Sequence, residues 1–178
     1  MNIFYLDKDP KTCAQMHVDK HCVKMILEYA QLLSTAHRVL DGTESTVLTG
    51  TGRRKKSWTL PDNRDSVLYS ATHINHPSAI WARRGEQNYR WLFTLFCELL
   101  EEYTYRYGKQ HATTRLLTTL ARPPKNIKMD EPFTEPTPAM PDDYKVAGDS
   151  VQSYKNYYLG DKQRMFSWKN RETPHWVV

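Results

Sequence analysis

One stretch, Met16 to Leu40 (MHVDKHCVKMILEYAQLLSTAHRVL), carries apolar residues over most of its helical circumference. At ~100° per residue, Met16, Val18, Cys22, Val23, Met25, Ile26, Leu27, Tyr29, Ala30, Leu32, Leu33 and Ala36 leave room for only a narrow polar stripe. That stripe is His17, Lys20, His21, Lys24, Glu28, Gln31, Thr35 and Arg38. A surface helix has one apolar face and a broad wet one. The inverted proportion predicts a helix running through the core, with its polar stripe lining a cleft.

The flanking pattern gives the other elements. Asn2 to Leu6 is short, aromatic and β-branched, which predicts an N-terminal strand or extended lead-in. Asp9-Pro10 makes a turn, and Thr12 with Gln15 has capping-box spacing, so the first helix spans Thr12 to Leu40. Asp41-Gly42 ends it, with the glycine expected in the left-handed region. Thr43 to Asp65 lacks periodicity and reads as a long basic loop. Ser66 to Thr72 suggests a short helix. Asn75 or His76 caps the next one, with Pro77 at its first position. This helix runs from Ser78 to Tyr107, kinked at Gly85 and stopped by Gly108, with a further helix over His111 to Ala121. Six prolines between Arg122 and Pro141 predict an extended connection. A last helix spans Asp149 to Lys169, capped by Asp149-x-x-Gln152 and interrupted at Gly160. Tyr154, Tyr157, Tyr158 and Trp168 share one of its faces. The expected fold is mainly α: residues 1–178 as a single-domain helical bundle around the polar-striped helix.

Composition narrows the partner. The 178 residues carry a net charge of +5, with eleven tyrosines and five tryptophans, and basic plus aromatic surface suits DNA or a nucleotide. Three cysteines without a CxxC pair argue against a disulfide framework and for a reducing cytoplasm. Asp7 and Asp9 sit where a signal peptide would be apolar, and no run is long enough to span a membrane. No motif implies a cofactor.

The stripe holds the candidate chemistry. Lys24 and Glu28 are spaced i, i+4. Walled by apolar residues and flanked by His17, His21 and Lys20, the lysine would be driven toward its neutral, nucleophilic form, with Glu28 as acid/base. Lys20, Gln31 and Arg38 extend the stripe as ligand contacts. His17 and His21 also have the spacing for a shared metal, which Glu28 or His73 and His76 would complete, but no HExxH is present. His73-Ile-Asn75-His76-Pro77 places imidazoles beside a helix N-terminus and suits an anion or a metal, with Trp81, Arg84 and Asn88 following at helical spacing. Arg53, Arg54, Lys55 and Lys56, with Trp58 behind them, read as a phosphate-contacting run with a stacking aromatic, and not as a P-loop. Tyr154, Tyr157, Tyr158 and Lys162 offer a second stacking and phosphate surface.

Three blocks, DKHCVKMILEYAQLLSTAHRVLDG, RPPKNI and SYKNYYLGDK, resemble a small protein family recurrent in tailed phages. That resemblance implies a phage protein in the host cytoplasm and assigns no reaction. The Tyr157-Tyr158, Gly160, Lys162 ending is also similar to that of pyrimidine-dimer DNA glycosylases of the endonuclease V type. This second resemblance implies a base-processing glycosylase and lyase. That family uses the α-amine of a processed N-terminal threonine. Asn2 is expected to keep Met1 in place, so imine chemistry here would pass to Lys24 or Lys20, with Glu28 in the carboxylate role. Other readings compatible with the same residues are a non-catalytic nucleotide-sequestering protein, a metal-dependent hydrolase, and a host-protein binder using the proline-rich segment. The sequence leaves the oligomeric state open.

Overall fold

The computed structural model describes residues 1–178 and is mainly helical, with one small antiparallel hairpin. Ile3 to Leu6 forms a buried segment without regular secondary structure and pairs with no strand. The Phe4 amide donates to Tyr29 Oη (3.1 Å), and its carbonyl accepts from Cys13 Sγ (3.1 Å) and from the Leu6 amide (3.1 Å). The N-terminal strand is therefore a core-lining lead-in.

The long first helix is two. α1 spans Pro10–Met16, and its cap is Asp9, whose carboxylate accepts from the Thr12 amide at 2.9 Å. His17 and Val18 turn extended, and α2 then runs Asp19–Asp41. The break is held by Arg106, whose side chain is fully buried. It donates to the Gln15 and His17 carbonyls that α1 leaves free at its C-terminus (2.9 and 2.8 Å), to Asp19 (2.9 Å) and to Glu102 (2.8 Å). Asp19 in turn accepts from Ser167 Oγ (2.7 Å) and the Lys169 amide (2.9 Å). A guanidinium at a helix C-terminus satisfies orphan carbonyls and opposes the negative end of the dipole.

Gly42 ends α2 in an extended conformation (φ −87°), so left-handed freedom is not what it supplies. A Cβ there would collide with the Arg38 carbonyl. The segment expected as a loop is a hairpin: β1 (Thr43–Leu48) pairs with β2 (Arg54–Thr59), Thr43 facing Thr59 and Leu48 facing Arg54. Its alternation went unseen because nearly every position is exposed, so no apolar face marks the period. α3 is one turn (Arg64–Val67), displaced toward the N-terminus from Ser66–Thr72.

His76 caps α4 (Pro77–Arg84), accepting from the Ser78 amide at 3.0 Å. Gly85 breaks the helix outright, and α5 continues from Glu86 to Tyr107, ending at left-handed Gly108 (φ 67°). The His111–Ala121 stretch is a 3-10 turn followed by α6 (Leu117–Leu120). The proline-rich strap crosses the α4–α5 break, where Asn88 accepts from the Thr134 amide (3.0 Å) and the Lys128 carbonyl accepts from Glu86 (2.9 Å). α7 spans Ser150–Asp161, capped by Asp149 as expected, and stops well before Lys169. α2, α4 and α5 pack around one cluster of 33 buried residues that also takes Ile3 to Leu6 and the α7 tyrosines. No helix is long and apolar enough to cross a membrane.

Candidate functional site

The polar stripe of α2 exists, but its wet side also takes in Val23 and Leu27, expected among the buried residues, and most of the stripe seats other parts of the chain. Arg38 is buried and its guanidinium donates to the carbonyls of Trp58 (2.8 Å), Asp65 (3.0 Å), Leu68 (2.9 Å) and Tyr69 (2.6 Å), and to the Asp65 carboxylate (2.7 Å). Thr35 holds Thr72 through its hydroxyl, accepting from the Thr72 amide at 3.2 Å. His17 is fully buried. Its Nδ1 donates to the Cys13 carbonyl (2.8 Å), so Nε2 accepts from Tyr29 Oη (2.7 Å). His21 Nδ1 accepts from Tyr158 Oη (2.7 Å), and its ring stacks on Phe4 at 4.1 Å. Burial drives both imidazoles toward neutrality, His17 to about 4 and His21 to about 3.

These contacts withdraw several expected ligand groups. Arg38, His17 and His21 are spent inside the fold. Trp58 is buried at the hairpin base and has no free face for a base to stack on. Asn88 is buried and divides its amide between the strap and the Trp81 carbonyl. Tyr154 and Tyr158 are buried, their hydroxyls bonded to Thr137, Ala139 and Asn2 and to His21 and Val18 respectively. Tyr157 stays half-buried, with Lys162 Nζ 4.8 Å from its ring centroid. His17 and His21 turn their nitrogens to separate tyrosines, and no group of three or more His, Cys, Asp or Glu side chains gathers as a metal site.

What remains of the stripe lies at its middle. The Glu28 side chain is 15% exposed and holds two amines: the Met1 α-amine on Oε2 at 3.3 Å and Lys24 Nζ on Oε1 at 3.4 Å. The Lys24 side chain is 70% exposed, so the desolvation expected to activate it is absent. The α-amine is held differently, because the Met1 side chain is 7% exposed and packs against the core. The buried Ile3–Leu6 segment fixes the chain just behind it.

His76 faces the same place. Burial first, then the positive charges of the Met1 amine and His73, hold its pKa below the usual imidazole value, with Glu28 opposing. Its Nδ1 accepts the cap hydrogen bond, which leaves Nε2 as the protonated nitrogen. His73 stands exposed beside it in the left-handed region (φ 47°), where a non-glycine residue carries strain. The Thr35–Thr72 bond and a turn from the His76 amide to the His73 carbonyl (2.9 Å) hold it there. Gln31 is half-buried on the same α2 face, whereas Lys20, Asn75 and Arg84 are exposed. Arg53 to Lys56 lie apart, on the hairpin.

The first residue's own amine is the group that sequence reasoning missed. The signal was Glu28 itself, a carboxylate on a mostly buried helix with one exposed lysine as its only sequence neighbour of opposite charge. Comparison of the chain with protein-family models, curated proteins and solved structures gave no match.

Proposed function

We propose that the chain, read as one helical domain over residues 1–178, is a DNA base-processing enzyme. It would cleave a glycosidic bond through an imine formed by an amine held on Glu28. The observation that carries this reading is the recessed Glu28 carboxylate with the Met1 α-amine at 3.3 Å and Lys24 at 3.4 Å. The Met1 side chain is anchored against the core and the Lys24 side chain is exposed, which favours the α-amine as nucleophile, with Lys24 on the approach to it.

The steps balance on these residues. The amine attacks C1′ of the deoxyribose as the C–N glycosidic bond breaks, and the bond pair leaves with the base. Glu28 accepts the proton that the amine loses and returns it to the departing base. The second N–H proton passes by the same carboxylate to O4′ as the sugar ring opens to the imine. His76 Nε2 and exposed His73 would hold phosphate, and half-buried Tyr157 with Lys162 would flank a base that has left the stack.

Borohydride trapping tests the reading, on duplexes carrying a cyclobutane pyrimidine dimer or an abasic site. Intact mass is measured first, to establish that the purified chain begins with an unmodified Met1. The expected result is a covalent adduct whose peptide map falls on the first residue, with Glu28→Gln slowing its formation by ~10²-fold or more. An adduct on Lys24 would move the nucleophile to that residue. Absence of any adduct with DNA that the protein demonstrably binds would sink the proposal.

A further inference from the structure

We infer that the β1–β2 hairpin is an arm that grips duplex DNA, seated in the major groove within about one helical turn of the reacting base. The inference rests on the DNA-acting reading above and adds a second, separate contact to it. Every residue of β1 is exposed, as are Arg54, Lys55, Lys56 and Thr59 of β2. A two-stranded ribbon with both faces in water is marginal by itself and gives the core little. Its base is nonetheless fixed, by buried Trp58 and Leu60 and by the Arg38 bond to the Trp58 carbonyl. Its tip is ordered as well: the Thr49 amide donates to Arg53 (2.8 Å), the Gly52 amide to Thr49 (2.8 Å), and the Arg53 amide to Thr49 Oγ1 (3.1 Å). Gly52 takes the left-handed turn position (φ 78°).

Charge names the occupant. Arg53, Arg54, Lys55 and Lys56 face a single hairpin acid, Glu44, which takes Lys56 at 3.0 Å and leaves the other three without an ion pair. Beside them Leu48 is 71% and Val47 42% exposed, and apolar side chains of this kind meet thymine methyls in the major groove. A two-stranded ribbon fits that groove in B-form DNA, whereas the deep, narrow groove of A-form RNA excludes it. From Glu28 to the end of α2 is ~20 Å of helix, and the ribbon adds ~20 Å of strand, so the tip lies within ~40 Å of Glu28. That upper bound is about one turn of duplex.

The test is fluorescence-anisotropy titration against salt, using a 25-base-pair DNA duplex with a central abasic site. Wild type is compared with a variant carrying Arg53→Gln, Arg54→Gln and Lys55→Gln. All three side chains are exposed, and equal thermal melts would verify folding. Loss of three phosphate contacts should lower the log–log salt slope by roughly 2.7, and affinity by on the order of a hundredfold near 0.15 M salt. Leu48→Ser should weaken binding without changing the slope. An unchanged slope in the triple variant, or duplex RNA of the same sequence binding as tightly as DNA, overturns the arm. Borohydride trapping on a short single-stranded abasic oligonucleotide reads the chemistry alone, so failure there with the salt result intact would condemn the imine and spare the arm.

Discussion

Replacing Arg38 with methionine separates a scaffold role from a ligand role. The side chain makes five hydrogen bonds, and the two to the Trp58 and Leu68 carbonyls are buried. A buried acceptor left unpaired costs about 1–3 kcal/mol, and a part-buried one less. Asp65, with a side chain 42% exposed, rehydrates at little cost. The total comes to about 3–5 kcal/mol, the range for breaking a buried charged network. For a chain of this length that corresponds to a fall in Tm of roughly 8–13 °C. Hydrogen exchange should localise the damage: faster exchange across 58–72 and the hairpin, with the middle of α2 unchanged. Arg38→Lys should recover little, because an ammonium cannot span the acceptors that the guanidinium fork reaches. A variant that melts like wild type and loses only nucleic-acid affinity would refute the scaffold reading and return Arg38 to the binding surface.

Acid should destabilise the fold through its buried imidazoles. The folded pKa of His17, about 4, lies below its ordinary 6.5, so its contribution is complete above pH 6.5 and is lost as pH falls toward 4. The loss is ~1.4 kcal/mol per pH unit, and His17→Gln should flatten the urea-derived stability profile between pH 6.5 and 4.5; parallel profiles would contradict this. Arg106→Met should cost about 3–5 kcal/mol by urea denaturation, because Asp19 and the Gln15 and His17 carbonyls lose a buried donor. A cost under ~1 kcal/mol would mean that water replaces the guanidinium. Gly160→Ala should destabilise by about 1–2 kcal/mol despite the better helix former, since its Cβ would lie 2.6 Å from Tyr144 Cζ and displace the Tyr144–Asp161 hydrogen bond (2.7 Å). A gain of ~1 kcal/mol would show the space to be open.

Periodicity carried much of the helical plan, because long apolar stripes such as Leu92, Leu95, Phe96 and Leu99 have no other arrangement that buries them. Caps were legible where one side chain does the work, as at His76 and Asp149. The break at His17 was not, since nothing near it in sequence disfavours a helix. Its cause, Arg106, lies 89 residues away from His17. The hairpin escaped for the opposite reason: burial supplies the period-two signal, and the ribbon buries almost nothing. At the candidate site, Glu28 was legible from its place on a mostly apolar helix. Its amine partner on Oε2 was not, because an i, i+4 rule sees Lys24 and cannot see a lead-in folding back from Met1.

The Arg106 staple also bears on the order in which the chain folds. The α1–α2 junction is complete only when Arg106 reaches residues 87 to 91 positions earlier in the chain, and Asp19 waits for Ser167 and Lys169, some 150 positions later. A nascent chain therefore carries the α1–α2 corner unfinished through most of its synthesis. Contacts of such long sequence separation slow folding. Glu28 lies in the middle of α2, away from that corner, so what would be completed late is the α1–α2 junction, after the last residues of α5 and the segment beyond α7 have been made.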